Sequence, residues 1–207
     1  MSETVPTVFV VDDDASFLKS IQRLLQSSGY VTEGFSSAGD FLAHYPQGAI
    51  GCVLADLRMP DMDGLTLQAV LTQCANPLPV VFLTGQGDIQ SSVAAMRQGA
   101  EDYLVKTAPK EAVIAAIERA LARDARERDA RTRRQGLQSR FDKLTSRERQ
   151  VLGEVLRGRL NKQIAADLGI DERSVKRHRT SLMRKLAVKS LAELVQLAVE
   201  AGAQAAD

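Results

Sequence analysis

Six polar residues that could act together follow short apolar runs in the first half of the sequence: Asp12, Asp13, Asp14, Asp56, Thr84 and Lys106. Carboxylates that share one crevice repel each other unless a cation neutralises them. Oxygen ligands with open positions for water or phosphate oxygen favour Mg²⁺, or the similar Mn²⁺. Lys106 would add a fixed positive charge, and Thr84 a hydroxyl that can donate to a phosphoryl oxygen.

These residues share one position, the carboxyl end of a predicted strand. Short runs rich in β-branched residues predict five strands, at Thr7–Val11, Val31–Phe35, Cys52–Ala55, Val80–Leu83 and Tyr103–Val105. Helical spacing of apolar residues predicts the intervening and final helices, at Ala15–Ser27, Ala38–Ala43, Leu65–Thr72, Ile89–Gln98 and Lys110–Leu121. This alternation predicts an α/β fold with a parallel sheet covered on both faces. In such sheets, ligands collect at the carboxyl ends of the strands.

Each polar residue also has a simpler explanation. An Asp that follows a strand is commonly a helix cap or a turn residue, and we expect Asp14 to cap the first helix. A single Thr or Lys near a strand end commonly has no special role. The joint occurrence of such residues at four strand ends favours a shared site.

Charge changes sign along the chain. Residues 1–122 carry 14 acidic and 7 basic side chains, a net charge of −7, whereas residues 123–140 and 141–207 are each +4. Nine of the twelve residues from Arg123 to Arg134 are charged, and several form opposite-charge pairs four residues apart. A solvated linker is the simplest interpretation, but we favour a helical extension of the preceding helix that frays near Gly136. The predicted division is therefore 1–122, a charged linker at 123–140, and 141–207.

The last segment has no strand signal. Helices are predicted at Ser146–Arg157, Lys162–Leu168, Glu172–Leu186 and Leu191–Ala201, which makes residues 141–207 an all-α four-helix domain. The second and third helices have the proportions of a helix-turn-helix. Asp171 is expected to cap the third helix, and Gly169 to provide the positive φ that a tight turn needs.

The third helix of this domain has two different faces. Its apolar face is marked by Val175, Leu182 and Leu186. Off that face lie five basic or titratable residues: Lys176, Arg177, His178, Arg179 and Arg184. A basic helix face is often merely solvated, but in a positively charged helix-turn-helix domain it predicts contacts with DNA phosphates and bases.

Cysteine usage and hydropathy favour a cytoplasmic protein. Cys52 and Cys74 have apolar surroundings and no metal-ligand spacing, so we expect both to be reduced and buried. The apolar runs are too short to cross a bilayer, and the first residues lack the positive flank and apolar stretch of a signal peptide. No membrane partner is expected.

Four motifs occur in order through the first half: Val10-Val11-Asp12-Asp13-Asp14, Asp56-Leu57-Arg58-Met59-Pro60-Asp61-Met62-Asp63-Gly64, Leu83-Thr84-Gly85 and Tyr103-Leu104-Val105-Lys106. Together they resemble the receiver domain of two-component response regulators over about 120 residues. The resemblance implies a flavodoxin-like, doubly wound, five-stranded parallel sheet. It also implies that a sensor histidine kinase transfers phosphate to an aspartate.

The resemblance further assigns roles to individual residues. Asp56 would be the phosphoacceptor, and Asp13, Asp56 and the Arg58 backbone carbonyl would hold Mg²⁺, with Asp12 acting through a bound water. Lys106 would bind the phosphoryl group. Thr84 would turn toward the phosphoryl group while Tyr103 fills the space behind it. An ordinary half-buried aromatic remains the alternative for Tyr103.

Three further positions, Thr107, Arg58 and Gln86, bear on the phosphoryl site. The family usually has a proline in cis after the lysine, whereas Thr107 follows Lys106. A cis bond before a non-proline residue costs about 3–4 kcal/mol, so we expect a trans or locally rearranged peptide. The resemblance also implies that Arg58 and Gln86 flank the water that hydrolyses the phosphoryl group, and we expect Arg58 to shield it.

Four further motifs lie in the second half: Leu144-Thr145-Ser146-Arg147-Glu148, Asn161-Lys162-Gln163-Ile164-Ala165, Val175-Lys176-Arg177-His178 and Lys185-Leu186-Ala187-Val188-Lys189-Ser190. They resemble the LuxR-type output domain, which with the receiver indicates the NarL/FixJ class, nearest to FixJ-like and styrene-responsive regulators. The expected DNA-contacting residues are Lys162, Ser174, Lys176, Arg177, His178, Arg179 and Lys185. Leu160 departs from the family pattern, and we expect the change to affect packing only.

The resulting functional hypothesis is a transcription regulator and not an enzyme. Phosphorylation of Asp56 would promote a homodimer, with the Leu191–Ala201 helix adding a contact on DNA, and the dimer would bind a double-stranded operator. RNA polymerase would be a further partner, and Asp56 would lose its phosphate by autodephosphorylation. Two alternatives remain: a haloacid-dehalogenase-type phosphatase with Asp12 as nucleophile and Asp14 as acid/base, and a receiver-like scaffold that is never phosphorylated.

Overall fold

The computed structural model describes residues 5–45, 48–85 and 89–201, with Ile89 described by its backbone alone. The chain divides into two compact units after Arg128.

The first unit is built on a five-stranded sheet. Its strands are β1 Thr7–Val11, β2 Val31–Phe35, β3 Gly51–Asp56, β4 Val80–Thr84 and β5 Asp102–Val105. All neighbours are parallel, in the order β2-β1-β3-β4-β5. Every residue of β3 and β4 is buried, as continuous apolar runs predict for central strands covered on both sides. The predicted doubly wound parallel sheet is confirmed.

Helices cover both faces of this sheet. They are α1 Ala15–Ser27, α2 Ala38–His44, α3 Gly64–Thr72, α4 Ile89–Arg97 and α5, which begins at Lys110. Alternate strand residues point to opposite faces, so each strand supplies two hydrophobic layers. Phe9 and Phe82 pack in the layer under α2, α3 and α4, while Val10 and Leu83 pack in the layer under α1 and α5.

The register brings the carboxyl ends of four strands to one edge. Val11 pairs with Ala55, Asp56 with Leu83, and Thr84 with Val105. Asp12 and Lys106 therefore leave the sheet beside Asp56 and Thr84, the arrangement that the predicted site requires.

Helix α5 is longer and more regular than predicted. It runs unbroken from Lys110 to Asp142 and does not fray at Gly136. Leu137 and Phe141 are 8% and 7% exposed, and Phe141 joins the core of the second unit. Burying a large apolar side chain contributes roughly 1.5–3 kcal/mol, which exceeds the cost of about 1 kcal/mol for a glycine inside a helix.

One predicted surface ion pair on α5 is partly buried. The Nε atom of Arg128 lies 2.9 Å from Oδ2 of Asp124. Asp124 is only 2% exposed, and the same oxygen accepts the Gly51 backbone N–H at 3.2 Å. This carboxylate therefore ties α5 to the first residue of β3, a contact that helical periodicity did not predict.

The second unit contains the four predicted helices, α6 Ser146–Leu156, α7 Asn161–Leu168, α8 Glu172–Leu186 and α9 Leu191–Glu200. Val151, Ile164 and Leu182 belong to one shared core. Gly169 ends α7 with φ 61°, and the Asp171 side chain caps α8 by accepting the Ser174 N–H at 2.8 Å. Both local predictions are confirmed.

Two smaller expectations need correction. Leu160 is 69% exposed at the start of α7, so its departure from the family pattern does not alter core packing. Its backbone N–H donates to Oε1 of Gln163 at 2.9 Å. Cys52 is a buried free thiol whose pKa burial raises to about 12, but the free thiol Cys74 is only half-buried.

No helix within the described ranges is both long and apolar enough to cross a membrane.

Candidate functional site

The acidic residues form one crevice at the carboxyl ends of β1 and β3. Asp12, Asp13 and Asp56 each place a carboxylate oxygen within 4.8 Å of the others. Asp12 and Asp56 are 1% and 7% exposed, whereas Asp13 is open to solvent. Burial raises the pKa of Asp12, although hydrogen bonds from Lys106 and from the Asp14 backbone oppose the shift. Removal of Asp12 from water therefore disfavours its negatively charged form.

Local turns fix these carboxylates. Oδ1 of Asp12 accepts the Asp14 N–H at 2.9 Å, and Oδ1 of Asp56 accepts the Arg58 N–H at 3.2 Å. Asp14 itself caps α1, accepting from the backbone of Ser16 and Phe17, as predicted.

The first residue of α3 lies directly against the end of β3. A Cβ atom on Gly64 would lie 2.5 Å from the Asp56 carbonyl oxygen and 2.7 Å from the Phe82 ring. Only glycine allows helix α3 to start this close to the strand that ends in Asp56.

Lys106 provides the counter-charge. Its Nζ atom lies 2.6 Å from Oδ2 of Asp12 and 2.7 Å from Oδ2 of Asp56. Burial acts to lower the pKa of Lys106, but its bonds to the two carboxylates outweigh that effect and the pKa is raised. The Lys106 N–H donates to the Thr84 carbonyl at 2.7 Å, and the peptide to Thr107 is trans, as expected without proline.

The two proposed switch residues differ in their surroundings. Thr84 is fully buried. Tyr103 is half-buried and packs against the core layer under α2, α3 and α4. Its hydroxyl is enclosed and has no hydrogen-bond partner among the described residues. Arg58 is exposed beside the crevice, whereas Gln86 lies outside the described residues.

The donor set fits a hard divalent cation. Three carboxylates within reach of one centre, one of them open to solvent, offer the oxygen ligands that Mg²⁺ takes while it keeps several waters. The side chains that could hold it are those of Asp12, Asp13 and Asp56.

One residue of this site was missed in the sequence. The Phe17 ring lies beneath the Lys106 ammonium, with Nζ 4.4 Å from the ring centroid. In the sequence, Phe17 is simply one apolar residue of an amphipathic helix. Its only signal is its place in the first turn after the acidic run.

The second unit presents its basic residues on α8. Val175, Leu182 and Leu186 are fully buried, which confirms the predicted apolar face. Apart from Lys185, which is also half-exposed, the predicted contact residues are Lys162, Lys176 and Arg177, which are exposed, and Ser174, His178 and Arg179, which are half-exposed.

Three of these side chains have partners within the domain. Nη1 of Arg179 donates to Oδ1 of Asn161 at 2.8 Å, and Nζ of Lys176 lies 3.4 Å from a Glu172 carboxylate oxygen. The Ser174 hydroxyl donates to Asp171 at 2.7 Å. The Arg179 bond joins the start of α7 to α8, so it also fixes the geometry of the helix-turn-helix.

Lys185 has a different environment from the other predicted DNA contacts. Its Nζ atom lies 2.7 Å from Oε2 of Glu148 and donates to the Lys143 carbonyl at 3.1 Å. Glu148 is 4% exposed and also accepts from the Ser181 hydroxyl and the Thr145 backbone N–H. Lys185 therefore anchors α8 to α6.

The Glu148 carboxylate is held in its charged form. Burial acts to raise its pKa, but the hydrogen bonds from Lys185, Ser181 and Thr145 outweigh burial and lower the pKa to about 2. In the sequence, Glu148 stands out only as part of the motif that resembles the LuxR-type output domain. The pattern Thr145-x-x-Glu148 also fits a capping box, which the structure contains.

The chain is similar to known proteins along its whole length. Residues 8–118 match the family "Response regulator receiver domain", and residues 142–198 match "Bacterial regulatory proteins, luxR family". Response regulator protein TodT of Pseudomonas putida is 39% identical over 197 residues, which cover 95% of this chain and 87% of TodT. Transcriptional regulatory protein FixJ of Azorhizobium caulinodans is 39% identical over 207 residues, covering 100% of this chain and 98% of FixJ.

A solved structure is similar over nearly the same span. The structure described as "Low Resolution Structure of Response Regulator StyR" is 45% identical, with a TM-score of 0.83, and covers 95% of this chain and 100% of that one.

The Glu148 network predicts an acid-sensitive second unit. Because the folded pKa of about 2 lies below the ordinary value of 4.5, the stability that this carboxylate contributes is fully present above pH 4.5. It is lost as the pH falls toward 2. Glu148→Gln should lower the free energy of unfolding of the second unit at pH 7 by about 1–3 kcal/mol and weaken its acid sensitivity. Amide hydrogen exchange of α6 and α8 in the full chain, at pH 7 and pH 3, measures both effects.

The matched control is Glu200→Gln, which makes the same change on an exposed surface of α9. At both pH values, its free energy of unfolding should stay within about 0.5 kcal/mol of that of the unaltered protein. Equal losses of protection between pH 7 and pH 3 in the unaltered protein and Glu148→Gln would show that Glu148 is not the acid-sensitive group.

Proposed function

Because this chain belongs to the two-component response regulators that join a receiver to a LuxR-type DNA-binding domain, we propose that phosphorylation of Asp56 controls its binding to an operator. The family consists of transcription regulators, and we propose that a sensor histidine kinase supplies the phosphate. The observation that carries the proposal is the position of Asp56, buried at 7% exposure, with the Lys106 ammonium 2.7 Å from its Oδ2.

The crevice suits phosphoryl transfer. An Asp56 carboxylate oxygen attacks the phosphorus atom, an O–P bond forms, and the bond from phosphorus to the kinase histidine nitrogen breaks. When bound, Mg²⁺ neutralises charge on the phosphoryl oxygens. The proposed ligands are Asp13, Asp56, the Arg58 carbonyl and, through water, Asp12. Lys106 already contacts Asp56, and in the proposal its ammonium pairs with an oxygen of the phosphoryl group on Asp56.

The proposed conformational response uses Thr84 and Tyr103. Thr84 is buried at the end of β4, next to the strand that ends in Asp56. In the proposed switch its hydroxyl bonds to the phosphoryl group and Tyr103 takes up the space behind it. The Tyr103 hydroxyl is enclosed without a hydrogen-bond partner in the described part of the chain, so moving this ring breaks no hydrogen bond of that hydroxyl.

Loss of the phosphoryl group completes the cycle. We propose that water hydrolyses the Asp56 acyl phosphate and that Arg58, which is exposed beside the crevice, slows the reaction by shielding the phosphorus atom.

Exposed apolar side chains on each unit support a homodimer. In the first unit, Val93, Met96 and Val105 are 43%, 49% and 40% exposed. In the second, the α9 residues Val195 and Val199 are 42% and 75% exposed. We propose that the first surface supplies the phosphorylation-dependent contact and α9 the contact on DNA. Pairing two half-sites roughly doubles the base contacts of one helix-turn-helix.

Operator binding is assigned to α8 and the start of α7. Lys162, Lys176 and Arg177 offer exposed cations, and Arg179 lies beside them. We propose that Lys185 instead holds α8 in place against α6, because its ammonium lies 2.7 Å from the Glu148 carboxylate.

The proposal extends to domains, location and a further partner. The receiver would occupy residues 1–122, the helical linker 123–140 and the DNA-binding domain 141–207. With chromosomal DNA as its target, the protein would act in the cytoplasm, where RNA polymerase would be a further partner.

The first test locates the phosphate. Acetyl phosphate with Mg²⁺, or a phosphorylated sensor kinase, should label Asp56, because the crevice combines a buried carboxylate with a counter-charge. Mass spectrometry of the intact protein and its peptides identifies the site. Asp56→Asn should abolish labelling, and Asp13→Asn should slow labelling because it weakens the binding of Mg²⁺.

Each alternative function predicts another result. Label on Asp12 would support a phosphatase mechanism, and no label on the unaltered protein would support an unphosphorylated scaffold. Label retained in Asp56→Asn would contradict the proposed phosphoacceptor.

The second test separates DNA contacts from anchoring. Lys176→Ala should weaken operator binding, and Arg179→Ala should too. If the lost contact is to phosphate, random DNA should be affected equally and the salt slope should fall by about 1. If it is to a base, one operator position should lose roughly 1–3 kcal/mol of discrimination. Salt titrations of selected operator and random DNA measure these effects.

Val175→Ala is the structural control, because Val175 lies on the same helix but is fully buried in the core of the second unit. It should mainly lower the melting temperature of the second unit and should have little effect on the salt slope of DNA binding. Unchanged affinities in both Lys176→Ala and Arg179→Ala would mean that α8 does not read DNA.

A further inference from the structure

The Lys106 ammonium is enclosed by three groups. Oδ2 of Asp12 and Oδ2 of Asp56 lie 2.6 Å and 2.7 Å from Nζ, and the centroid of the Phe17 ring lies 4.4 Å from it. The side chain of Lys106 is only 17% exposed. The aromatic face is therefore one wall of the pocket that encloses the ammonium, and unlike the two carboxylates it carries no net charge.

The position of Phe17 is fixed by the same turn that carries the aspartates. Its backbone N–H donates to Oδ1 of Asp14 at 3.1 Å, in the first turn of α1. Its side chain packs against the hydrophobic layer under α1 and α5. The position of Phe17 therefore has two supports besides Lys106, the helix cap and this packing.

The ring offers the lysine a partner that phosphorylation leaves unchanged. An ammonium over an aromatic face is attracted by the ring quadrupole, most strongly where water is excluded. The Asp56 carboxylate loses its negative charge when it becomes an acyl phosphate, and the charge moves outward to the phosphoryl oxygens. A flexible lysine stem has several other rotamers, and the ring favours those that keep the ammonium at the mouth of the crevice.

We propose that Phe17 is a positioning residue for phosphoryl transfer, whose ring holds the Lys106 ammonium over the crevice before and after Asp56 takes up the phosphoryl group. This inference rests on the proposed phosphorylation of Asp56. With acetyl phosphate as donor, an Asp56 oxygen forms a bond to phosphorus while the bond from phosphorus to the acetyl oxygen breaks. Acetate leaves with the electron pair, and no redox partner is needed.

The test uses the full chain with Phe17 replaced by phenylalanines that carry one, two or three ring fluorines. Each fluorine weakens the negative potential of the ring face while changing its size very little. The rate of Asp56 labelling by acetyl phosphate with Mg²⁺ should fall stepwise along the series, with the logarithm of the rate following the cation-binding strength of the ring. Phe17→Leu should be slower by about threefold to thirtyfold, and Phe17→Tyr should recover most of the rate.

Two controls separate positioning from packing. The same fluorinated series at Phe141, which is buried in the core of the second unit, should leave the rate unchanged. In a Lys106→Met background, the Phe17 series should become flat, because the ring acts through the ammonium. Melting temperatures measured for every variant identify any loss of folding.

The outcomes distinguish this inference from the function on which it rests. A rate that does not change along the Phe17 series, in a protein that is labelled on Asp56, would overturn the role of Phe17 alone. A series that declines equally without Lys106 would overturn it too. An unaltered protein that takes up no phosphate would overturn the proposed function and this inference with it.

Discussion

Two buried carboxylates held close together must be neutralised, and the first unit is organised around that requirement. The register of β1 and β3 brings Asp12 and Asp56 to one edge of the sheet, each within 2.7 Å of the Lys106 ammonium. Burial raises the pKa of Asp12, so the crevice favours added positive charge. In the proposed function, this preference attracts a divalent cation, and the charges of the cation and of Lys106 would stabilise a phosphoryl group on Asp56.

The second unit also contains a buried carboxylate that needs partners, and there the network has a structural role. Glu148 is buried at 4% exposure, and Lys185, Ser181 and Thr145 together supply its donors. A fully satisfied buried network of this kind fixes one arrangement of the elements that it joins. Here it joins α6 to α8, so the basic face of α8 is presented at a defined angle. In the first unit the enclosed charges make a reactive site, whereas in the second they make a rigid support.

The sequence predicted what depends on local pattern and missed what depends on distant contacts. The parallel sheet follows from alternating strands and helices, and the Asp171 cap and the left-handed Gly169 follow from turn chemistry. Periodicity could not show that Asp124 bonds to the start of β3, because its partner lies 73 residues away. In the sequence, Phe17 likewise resembles an ordinary core residue, because only the folded chain brings its ring beneath Lys106, which follows β5.

In the proposed function, the charge at Asp56 controls assembly on DNA. Sedimentation of the full chain, with Mg²⁺ and operator DNA selected from random sequences, tests this control directly. Acetyl phosphate should convert the unaltered protein from a monomer to an operator-bound dimer and should leave Asp56→Asn unchanged. Equal dimerisation and equal operator affinity of the two proteins, with and without acetyl phosphate, would contradict it.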